Sequence, residues 1–315
     1  MLSLRKLSAL CLAALLSSPA LAGKLSIVID DFGYRPTQEN QVLQMPTAIS
    51  IAVLPNAPHA REMATKAHQR GHEVLIHLPM APLSKQPLEK DTLRPDMSVD
   101  EIARIIHDAT TKVPYAIGLN NHMGSAMTSS LSGMQKVMQV LDHYSFYFLD
   151  SVTIGNTQAT KAAAGTHVNV LKRRVFLDDS QNEAEIRKQF TRAVRLAEKN
   201  GSAIAIGHPH PTTVRVLQQM LPTLPADITL VRPSQLLHES TSGAVSTPAQ
   251  PAKPPQPVKP AKPRNTFQPG KYCPVKPVPV SAGRALEIVA ESIADSPLIT
   301  TLSKQLFGQK SDTQK

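Results

Sequence analysis

Short apolar segments alternate with longer amphipathic segments along residues 24–237 of the chain. Apolar runs of about four to eight residues predict buried strands, whereas apolar residues that recur every three or four positions predict helices. Strands are expected at residues 25–29, 47–54, 73–80, 116–124 (with the loop that follows), 146–150, 168–170, 175–179, 202–210 and 228–231. Helices are expected at residues 57–69, 98–111, 131–143, 158–164, 183–199 and 212–220.

The alternation predicts a parallel sheet, because a chain that returns to a parallel strand needs a crossover, usually a helix. About seven or eight such units over roughly 215 residues fit an α/β, TIM-like (β/α) barrel better than several domains. An open, doubly wound sheet is the alternative. No Gly-x-Gly-x-x-Gly follows the first strand, which disfavours a dinucleotide-binding fold. Ser98 and Glu101 have the spacing of a helix capping box.

Residues 1–22 have the pattern of a secretory signal peptide. Arg5 and Lys6 precede an apolar stretch at residues 7–16, and small residues at positions 20 and 22 form a cleavage site. The mature chain is therefore expected to begin at Gly23 and to be periplasmic or secreted. No later run of about 18 apolar residues occurs, so no transmembrane segment is expected in the mature chain. Cys273 would be its only cysteine, which excludes an internal disulfide.

The basic residues are concentrated outside the alternating region. The chain has a formal net charge of +10, but residues 23–239 contain 22 Lys and Arg against 20 Asp and Glu. Residues 247–284 contain seven basic residues and no acidic residue. The region at 23–239 thus lacks the basic surface that nucleic-acid binding requires, and the absence of Trp leaves little for base stacking.

The composition changes after residue 239. Residues 240–283 are rich in Pro, Lys and Ala, which predicts a disordered, semi-extended linker after a domain at residues 23–239. Residues 284–315 regain apolar periodicity. They are expected to form either a terminal helix that contacts a partner, such as an envelope protein, or a marginal helix within a disordered tail.

Residues that can bind a metal or transfer a proton lie at the ends of several of the predicted strands. They are Asp30, Asp31, His77, Asn120, Asn121, His122, Asp150, Asp178, Asp179, His208 and His210. In a barrel these strand ends lie on one face. Imidazole and carboxylate together suit zinc and also other divalent metals. Such a site, with a free carboxylate as base and a free histidine as acid, would form a hydrolytic centre.

Two observations limit the chemistry further. No Gly-x-Ser-x-Gly motif is present and Cys273 lies in the predicted linker, so covalent acyl-enzyme chemistry is disfavoured. Taken alone, Asp30 and Asp31 could equally begin an ordinary polar turn. Because the backbone is expected to bend at Gly33, both carboxylates can instead face one cleft.

Four segments, taken together and in order, resemble motifs of the divergent polysaccharide deacetylase family, a branch of the NodB-like carbohydrate esterases. They are IVIDDFG at 27–33, HLPM at 77–80, NHMGS at 121–125 and GHPHP at 207–211. The resemblance covers residues 24–237. It implies a distorted (β/α)7 barrel that removes N- or O-acetyl groups from sugars with the help of a divalent metal, for which zinc is the first expectation.

The resemblance also implies roles for individual residues. Asp30 matches the family's catalytic base, His208 matches its catalytic acid, and Asp31 and His77 match two metal ligands. The family has a second histidine four residues after the first, where this chain has Ala81. The hypothesis is that His122, from the next strand end, replaces it as a ligand.

The remaining strand-end residues are predicted to contact the substrate. This group comprises Asn120, Asn121, Asp150 and His210. Residues 120–122 stand where the family usually has Arg-x-Pro, so the groups that support the base differ from the family's pattern. His210 is also the alternative to His208 as the acid.

The sequence supports two functional hypotheses. The first is an exported metal-dependent deacetylase that acts on an acetylated polysaccharide or a glycan of the peptidoglycan type. The second is a catalytically reduced barrel that binds a glycan or an envelope protein and keeps the metal for structure. Metal content and acetate release together distinguish them.

Overall fold

A computed structural model describes residues 22–237 of the 315-residue chain. Within this region nine parallel strands form one sheet and are flanked by eight α-helices. The strands are β1 Gly23–Phe32, β2 Ser50–Val53, β3 Val74–Met80, β4 Ala116–Met123, β5 Tyr147–Asp150, β6 Val170–Lys172, β7 Val175–Phe176, β8 Ser202–Gly207 and β9 Ile228–Leu230. The helices are α1 Pro36–Val42, α2 Ala60–Gln69, α3 Val99–Lys112, α4 Ser125–Ser129, α5 Leu131–Leu141, α6 Ala159–Ala162, α7 Glu183–Asn200 and α8 Pro211–Met220.

The sheet curls into an incompletely closed barrel. Its strand order is β6-β5-β4-β3-β2-β1-β8-β7, and β9 also pairs with β1. The two edge strands β6 and β7 follow each other in sequence, so Lys172 and Val175 lie at most about 11 Å apart. The segment between them is bonded to both sides of the gap, because Arg173 N donates to Asp150 O of β5 at 3.0 Å and Arg174 N donates to Ile204 O of β8 at 2.8 Å. The predicted TIM-like α/β barrel is therefore confirmed, and the open doubly wound sheet is not observed.

The strands are apolar without alternation because both of their faces are buried, as is usual in parallel sheets. One face packs against the surrounding helices through residues such as Ile27, Ile51 and Ile76. The residues between them, such as Val28 and Leu75, form a second cluster inside the barrel. This arrangement follows from the alternation of side chains along a strand.

The amino-terminal end of the barrel is closed by the last described element, the 3₁₀ helix Pro233–Leu236. Glu73 is buried there and accepts a hydrogen bond from the Tyr147 hydroxyl at 2.7 Å. Its other carboxylate oxygen accepts a hydrogen bond from the Ser234 hydroxyl. Burial, followed by the charge of Glu73, raises the pKa of Tyr147 well above its ordinary value. These contacts attach residues 233–236 to the barrel itself.

Two short helices were not predicted from the sequence. Helix α1 is mostly polar and buries only Glu39 and Val42, so it has no apolar periodicity to reveal it. Helix α4 is five residues long. The predicted capping box is present at the start of α3, where Ser98 N donates to Glu101 Oε2 at 2.8 Å and Glu101 N donates to Ser98 Oγ at 3.2 Å.

Three predictions fall outside the described residues. They concern the signal peptide at 1–22, of which only residue 22 is described, the linker at 240–283, and the terminal segment at 284–315. In the part of the chain that is described, none of the helices combines the length and the apolar character needed to cross a membrane.

Candidate active site

The polar strand-end residues gather at the carboxyl end of the barrel. Asp30 and Asp31 come from β1, His77 from β3, and His122 from β4. His208 directly follows β8, which pairs with β1. Strands β3 and β4 pair in a register that places His77 opposite Asn120, so His122, two residues further on, shares its face. The barrel topology therefore brings together residues separated by up to 178 positions in the sequence.

A bulge in β1 turns both carboxylates toward the cleft. In a regular strand Asp30 and Asp31 would point to opposite faces. The pairing of β1 with β2 shifts between Ile29 and Phe32, and Asp31 has a positive φ of 58°. Asp can adopt this left-handed conformation more readily than most residues. The predicted bend at Gly33 is thus preceded by a bulge at Asp31, and the bulge orients the pair.

Asp31, His77 and His122 form a candidate metal centre. The Asp31 Oδ1 atom lies 3.0 Å from His122 Nδ1 and 3.2 Å from His77 Nε2, and the two histidine nitrogens are 3.1 Å apart. A tetrahedral zinc ion with bonds of about 2.05 Å would hold its ligand atoms about 3.3 Å apart. The three donor atoms thus have almost the spacing that such an ion requires.

The electrostatics of Asp31 agree with this fit. Its Oδ1 atom is buried and makes no hydrogen bond of acceptable geometry, although two imidazole nitrogens are close. Burial acts to raise the pKa of Asp31, but His122 and His77 outweigh it and hold the pKa far below its ordinary value. An ionised oxygen that two histidine nitrogens face without hydrogen-bonding is suited to a cation.

Asp30 lies beside this cluster and is joined to it by Asn120. The Asn120 amide donates to Asp30 Oδ1 at 2.9 Å, and its Oδ1 atom lies 2.8 Å from His77 Nδ1. Because an amide oxygen only accepts, His77 carries a proton on Nδ1, and its Nε2 atom faces Asp31.

Opposing effects set the pKa values of the buried residues Asp30 and His77. Burial raises the pKa of Asp30, although His77 and His208 act against the rise. Burial acts to lower the pKa of His77, but the nearby charges of Asp30 and Asp31 raise it.

His208 is held on the other side of the cleft by Asp178. The Asp178 carboxylate accepts from His208 N at 2.7 Å, faces His208 Nδ1 at 2.9 Å and accepts from the Thr213 hydroxyl at 2.7 Å. Burial alone would lower the pKa of His208, but the hydrogen bond and charge of Asp178 raise it to about 9. His208 Nε2 points toward the cluster, 3.9 Å from Asp31 Oδ2.

His210 lies at the rim of the cleft next to His208. Its ring centroid is 5.7 Å from that of His208, and its Nδ1 atom is 2.7 Å from Nη1 of Arg35. Burial and the positive charge of Arg35 lower the pKa of His210. Asp178, His208 and His210 also lie close enough together to be considered as a metal-binding group. However, Asp178 is already used by His208, and a guanidinium beside His210 disfavours a second cation.

Three residues predicted to contact substrate are instead buried beneath the site. The exposed fractions of Asn120, Asn121 and Asp150 are 0%, 1% and 0%. Asn121 accepts from Ser151 N at 2.9 Å, and Asp150 accepts from Val152 N at 2.9 Å. Their polar groups are hydrogen-bonded within the protein, which favours a supporting position, and their contact with substrate stays a prediction. His210 remains accessible.

Sequence reasoning missed Arg173, which lies where the barrel closes. Its guanidinium donates to Ser151 O at 2.6 Å and to Val152 O at 2.7 Å, and its Cζ atom lies 4.4 Å from the ring centroid of Phe176. Phe176 in turn stacks on His208 with a centroid distance of 5.5 Å. Arg173 lies in a basic run between two very short strands, and nothing in that run marks it as part of a site.

The fold and this cluster define a (β/α) barrel with a candidate metal centre at the carboxyl ends of its strands. The chain belongs to the divergent polysaccharide deacetylase family, whose model matches residues 27–237. The family predicted from the four motifs is thereby confirmed.

The chain is also similar to two curated relatives and to a solved structure. The uncharacterized protein YibQ of Escherichia coli K12 is 65% identical over 303 residues, which are 95% of this chain and 93% of the relative. An uncharacterized protein of Haemophilus influenzae is 45% identical over 208 residues, covering 66% of this chain and 74% of the relative. The crystal structure of the uncharacterized protein ATU2773 of Agrobacterium tumefaciens has a TM-score of 0.64 at 20% identity and covers 70% of this chain and 91% of the other. This last match is evidence for the fold.

Proposed function

We propose that the chain is an exported, metal-dependent deacetylase that removes acetyl groups from an acetylated polysaccharide or a glycan of the peptidoglycan type. One observation carries the proposal. A three-ligand cluster, a second carboxylate and a second histidine meet at one end of the barrel. Asp30 Oδ2 lies 3.6 Å from His77 Nε2, and His208 Nε2 lies 3.9 Å from Asp31 Oδ2. A ligand set, a base and an acid are the groups that metal-assisted hydrolysis requires.

Asp31, His77 and His122 would hold the divalent ion, for which zinc is the first candidate on ligand chemistry. When bound, the ion would supply Lewis-acid polarisation of the acetyl carbonyl and a lower pKa for water. The position of Ala81 supports His122 as a ligand. The family's usual second histidine is missing there, and His122 brings its Nδ1 atom within 3.0 Å of Asp31.

Asp30 would act as the general base. It accepts a proton from the water molecule as the water oxygen forms a bond to the acetyl carbon. Its burial raises its pKa, which makes the ionised carboxylate a stronger proton acceptor. The Asn120 amide donates to Oδ1 of Asp30 and leaves Oδ2 without this bond. The group that supports the base is therefore a neutral amide.

His208 would act as the general acid. With a pKa raised to about 9, it is protonated near neutral pH. It donates its proton to the leaving nitrogen or oxygen as the bond from that atom to the acetyl carbon breaks. The products are acetate and a free amine or hydroxyl on the sugar. Asp178 fixes the ring so that Nε2 faces the cleft.

A barrel that only binds a glycan or an envelope protein is the alternative. The replacement of Arg-x-Pro by residues 120–122 and the basic segment after residue 239 motivate it. The complete set of ligand, base and acid positions favours the hydrolase, because binding alone does not need a protonated histidine opposite a buried carboxylate. The predicted signal peptide supports action in the periplasm or outside the cell, and an envelope partner of the tail stays a proposal.

Acetate release from acetylated glycans by zinc-loaded protein tests the proposed function. Asp30→Asn and His208→Ala should each lower the rate by about 10²–10⁴-fold, while zinc content stays near that of the wild type. Loss of zinc from Asp30→Asn would exchange the proposed roles of Asp30 and Asp31. A wild type that binds zinc and glycan but releases no acetate would favour the binding protein.

A further inference from the structure

Arg35 stands at the rim of the candidate active site. It lies in the loop between β1 and α1, four residues after Asp31, and its side chain is exposed. Its Nη1 atom is 2.7 Å from His210 Nδ1, and the His210 ring is 5.7 Å from the ring of the proposed acid, His208. A ligand that contacts Arg35 would therefore lie next to the proposed site of acetyl transfer to water.

The loop that carries Arg35 is held in place from below. Glu39 is fully buried, and its Oε1 atom accepts hydrogen bonds from the backbone of Gly33 at 2.9 Å, Tyr34 at 3.0 Å and Arg35 at 2.6 Å. Three bonds to one oxygen fix the backbone of the loop relative to β1. The backbone position of Arg35 is thus part of the site's architecture, and the contact of Nη1 with His210 holds the guanidinium at the rim.

The charge of Arg35 is not neutralised by the protein. Some other surface arginines form ion pairs, such as Arg187 and Arg215 with Glu183. Within residues 22–237 Arg35 forms no ion pair with an Asp or Glu, and its side-chain partner is a histidine nitrogen. Since an imidazole with an acceptor nitrogen is neutral, His210 orients the guanidinium without cancelling its charge. Four of its five N–H groups stay available, enough for a two-pronged bond to a carboxylate.

We propose that Arg35 and His210 form an anion-binding subsite that recognises a carboxylate carried by the acetylated glycan. The proposal rests on the proposed deacetylase function and narrows its substrate to acidic glycans, such as those with a lactyl ether or a uronic acid next to the acetylated sugar. The guanidinium binds the carboxylate. His210, which is part of the same rim, holds the guanidinium toward the cleft.

A purely structural role for Arg35 makes a different prediction. If Arg35 only positions His210, its loss should affect neutral and acidic glycans equally, because the defect lies in the protein. If Arg35 binds a carboxylate, its loss should affect only the acidic glycan. The ratio of the two affinities therefore separates the roles.

The test uses the full chain loaded with zinc and carrying Asp30→Asn to stop turnover. Calorimetric titration compares an oligomer of alternating N-acetylglucosamine and N-acetylmuramic acid with the same oligomer after its carboxyl groups are reduced to alcohols. We expect the acidic oligomer to bind about 10–100-fold more tightly, since hydrogen bonds between charged groups are the strong ones. Arg35→Gln should abolish this preference, and Arg35→Lys should retain part of it. Arg195→Gln removes an exposed arginine on α7 and should leave the preference unchanged.

The possible outcomes test the anion-binding subsite and the deacetylase activity separately. The subsite is overturned if the protein with Arg35 intact binds both oligomers with equal affinity. It is also overturned if Arg35→Gln lowers the affinity for both oligomers equally. Acetate release from neutral glycans without a carboxylate preference overturns the subsite and keeps the deacetylase. A preference that depends on Arg35, in a wild type that releases no acetate, keeps the subsite and overturns the hydrolase. Binding of neither oligomer overturns the subsite.

Discussion

The bond between Asp178 and His208 predicts how the stability of the protein depends on pH. In Asp178→Asn one oxygen can still accept from His208 N and Thr213, but an amide NH₂ then faces His208 Nδ1 in place of a carboxylate oxygen. Two donors cannot share a hydrogen bond, so His208 must lose its Nδ1 proton and become neutral. The substitution therefore removes the group that keeps His208 charged.

The magnitude follows from the pKa of His208. Its rise from 6.5 to about 9 favours the charged ring by roughly 3 kcal/mol, at about 1.4 kcal/mol per pKa unit. The side chain is 18% exposed, so solvent screening removes little of this effect. A raised pKa stabilises the folded state fully below the unfolded value, near 6.5, and the stabilisation is lost as pH rises through about 9.

Urea unfolding of the metal-free protein at several pH values between about 6 and 10 measures this effect. The wild type should lose roughly 3 kcal/mol of unfolding free energy over this window from His208 alone, whereas Asp178→Asn should show a much flatter profile. An NMR titration of the His208 ring should give a pKa of about 9 in the wild type and a pKa well below that in the variant. The metal-free protein is used because the charge of Asp31 also acts on His208.

An exposed pair provides the matched control. His167 Nδ1 lies 3.1 Å from Asp142 Oδ1, but the His167 side chain is 96% exposed. Asp142→Asn should therefore change the unfolding free energy by about 1 kcal/mol or less. If Asp178→Asn keeps the wild-type pH profile and the His208 titration, the reasoning that Asp178 sets the charge of His208 is refuted.

Three further predictions address the ligands, their support and the domain boundary. His122→Ala should lower zinc content in elemental analysis, whereas His107→Ala, on helix α3, should not; equal zinc in both variants would remove His122 from the ligand set. Asn120→Leu should lower the unfolding free energy by roughly 2–5 kcal/mol, because it leaves buried groups of Asp30 and His77 without partners; a change below about 1 kcal/mol would contradict the bridge. A chain that ends at residue 239 should melt at the same temperature as the full chain by circular dichroism, because residues 233–236 already close the barrel; unfolding of the shortened chain would move the boundary.

The identity of the barrel strands was predictable from local pattern. A strand that is buried on both faces must be apolar throughout, so runs such as 25–29 and 202–207 stand out in the sequence. The capping box at Ser98 was equally visible, because it depends on residues three positions apart. Helix α1 was not, since its position depends on buried Glu39 and on contacts with the loop above it.

The candidate metal ligands were also accessible to sequence reasoning, because parallel strands end on one face whatever their order in the sheet. The roles of the individual strand-end residues also depend on how deeply each side chain is buried. Asn120, Asn121 and Asp150 lie at strand ends just as His122 does, but their side chains are buried. No local pattern distinguishes a strand-end residue that reaches the cleft from one that lies a layer below it.

The sequence was sufficient to predict the strands, the longer helices, and the carboxylates and histidines at the strand ends, since these features depend on neighbours within a few positions. The contacts among these side chains depend on the tertiary structure. The bulge at Asp31 depends on the pairing of β1 with β2, and the charge of His208 depends on Asp178, 30 residues away. Arg173 acquires its place because the two edges of the sheet approach each other there. Such contacts are set by the curl of the whole sheet, which no single segment encodes.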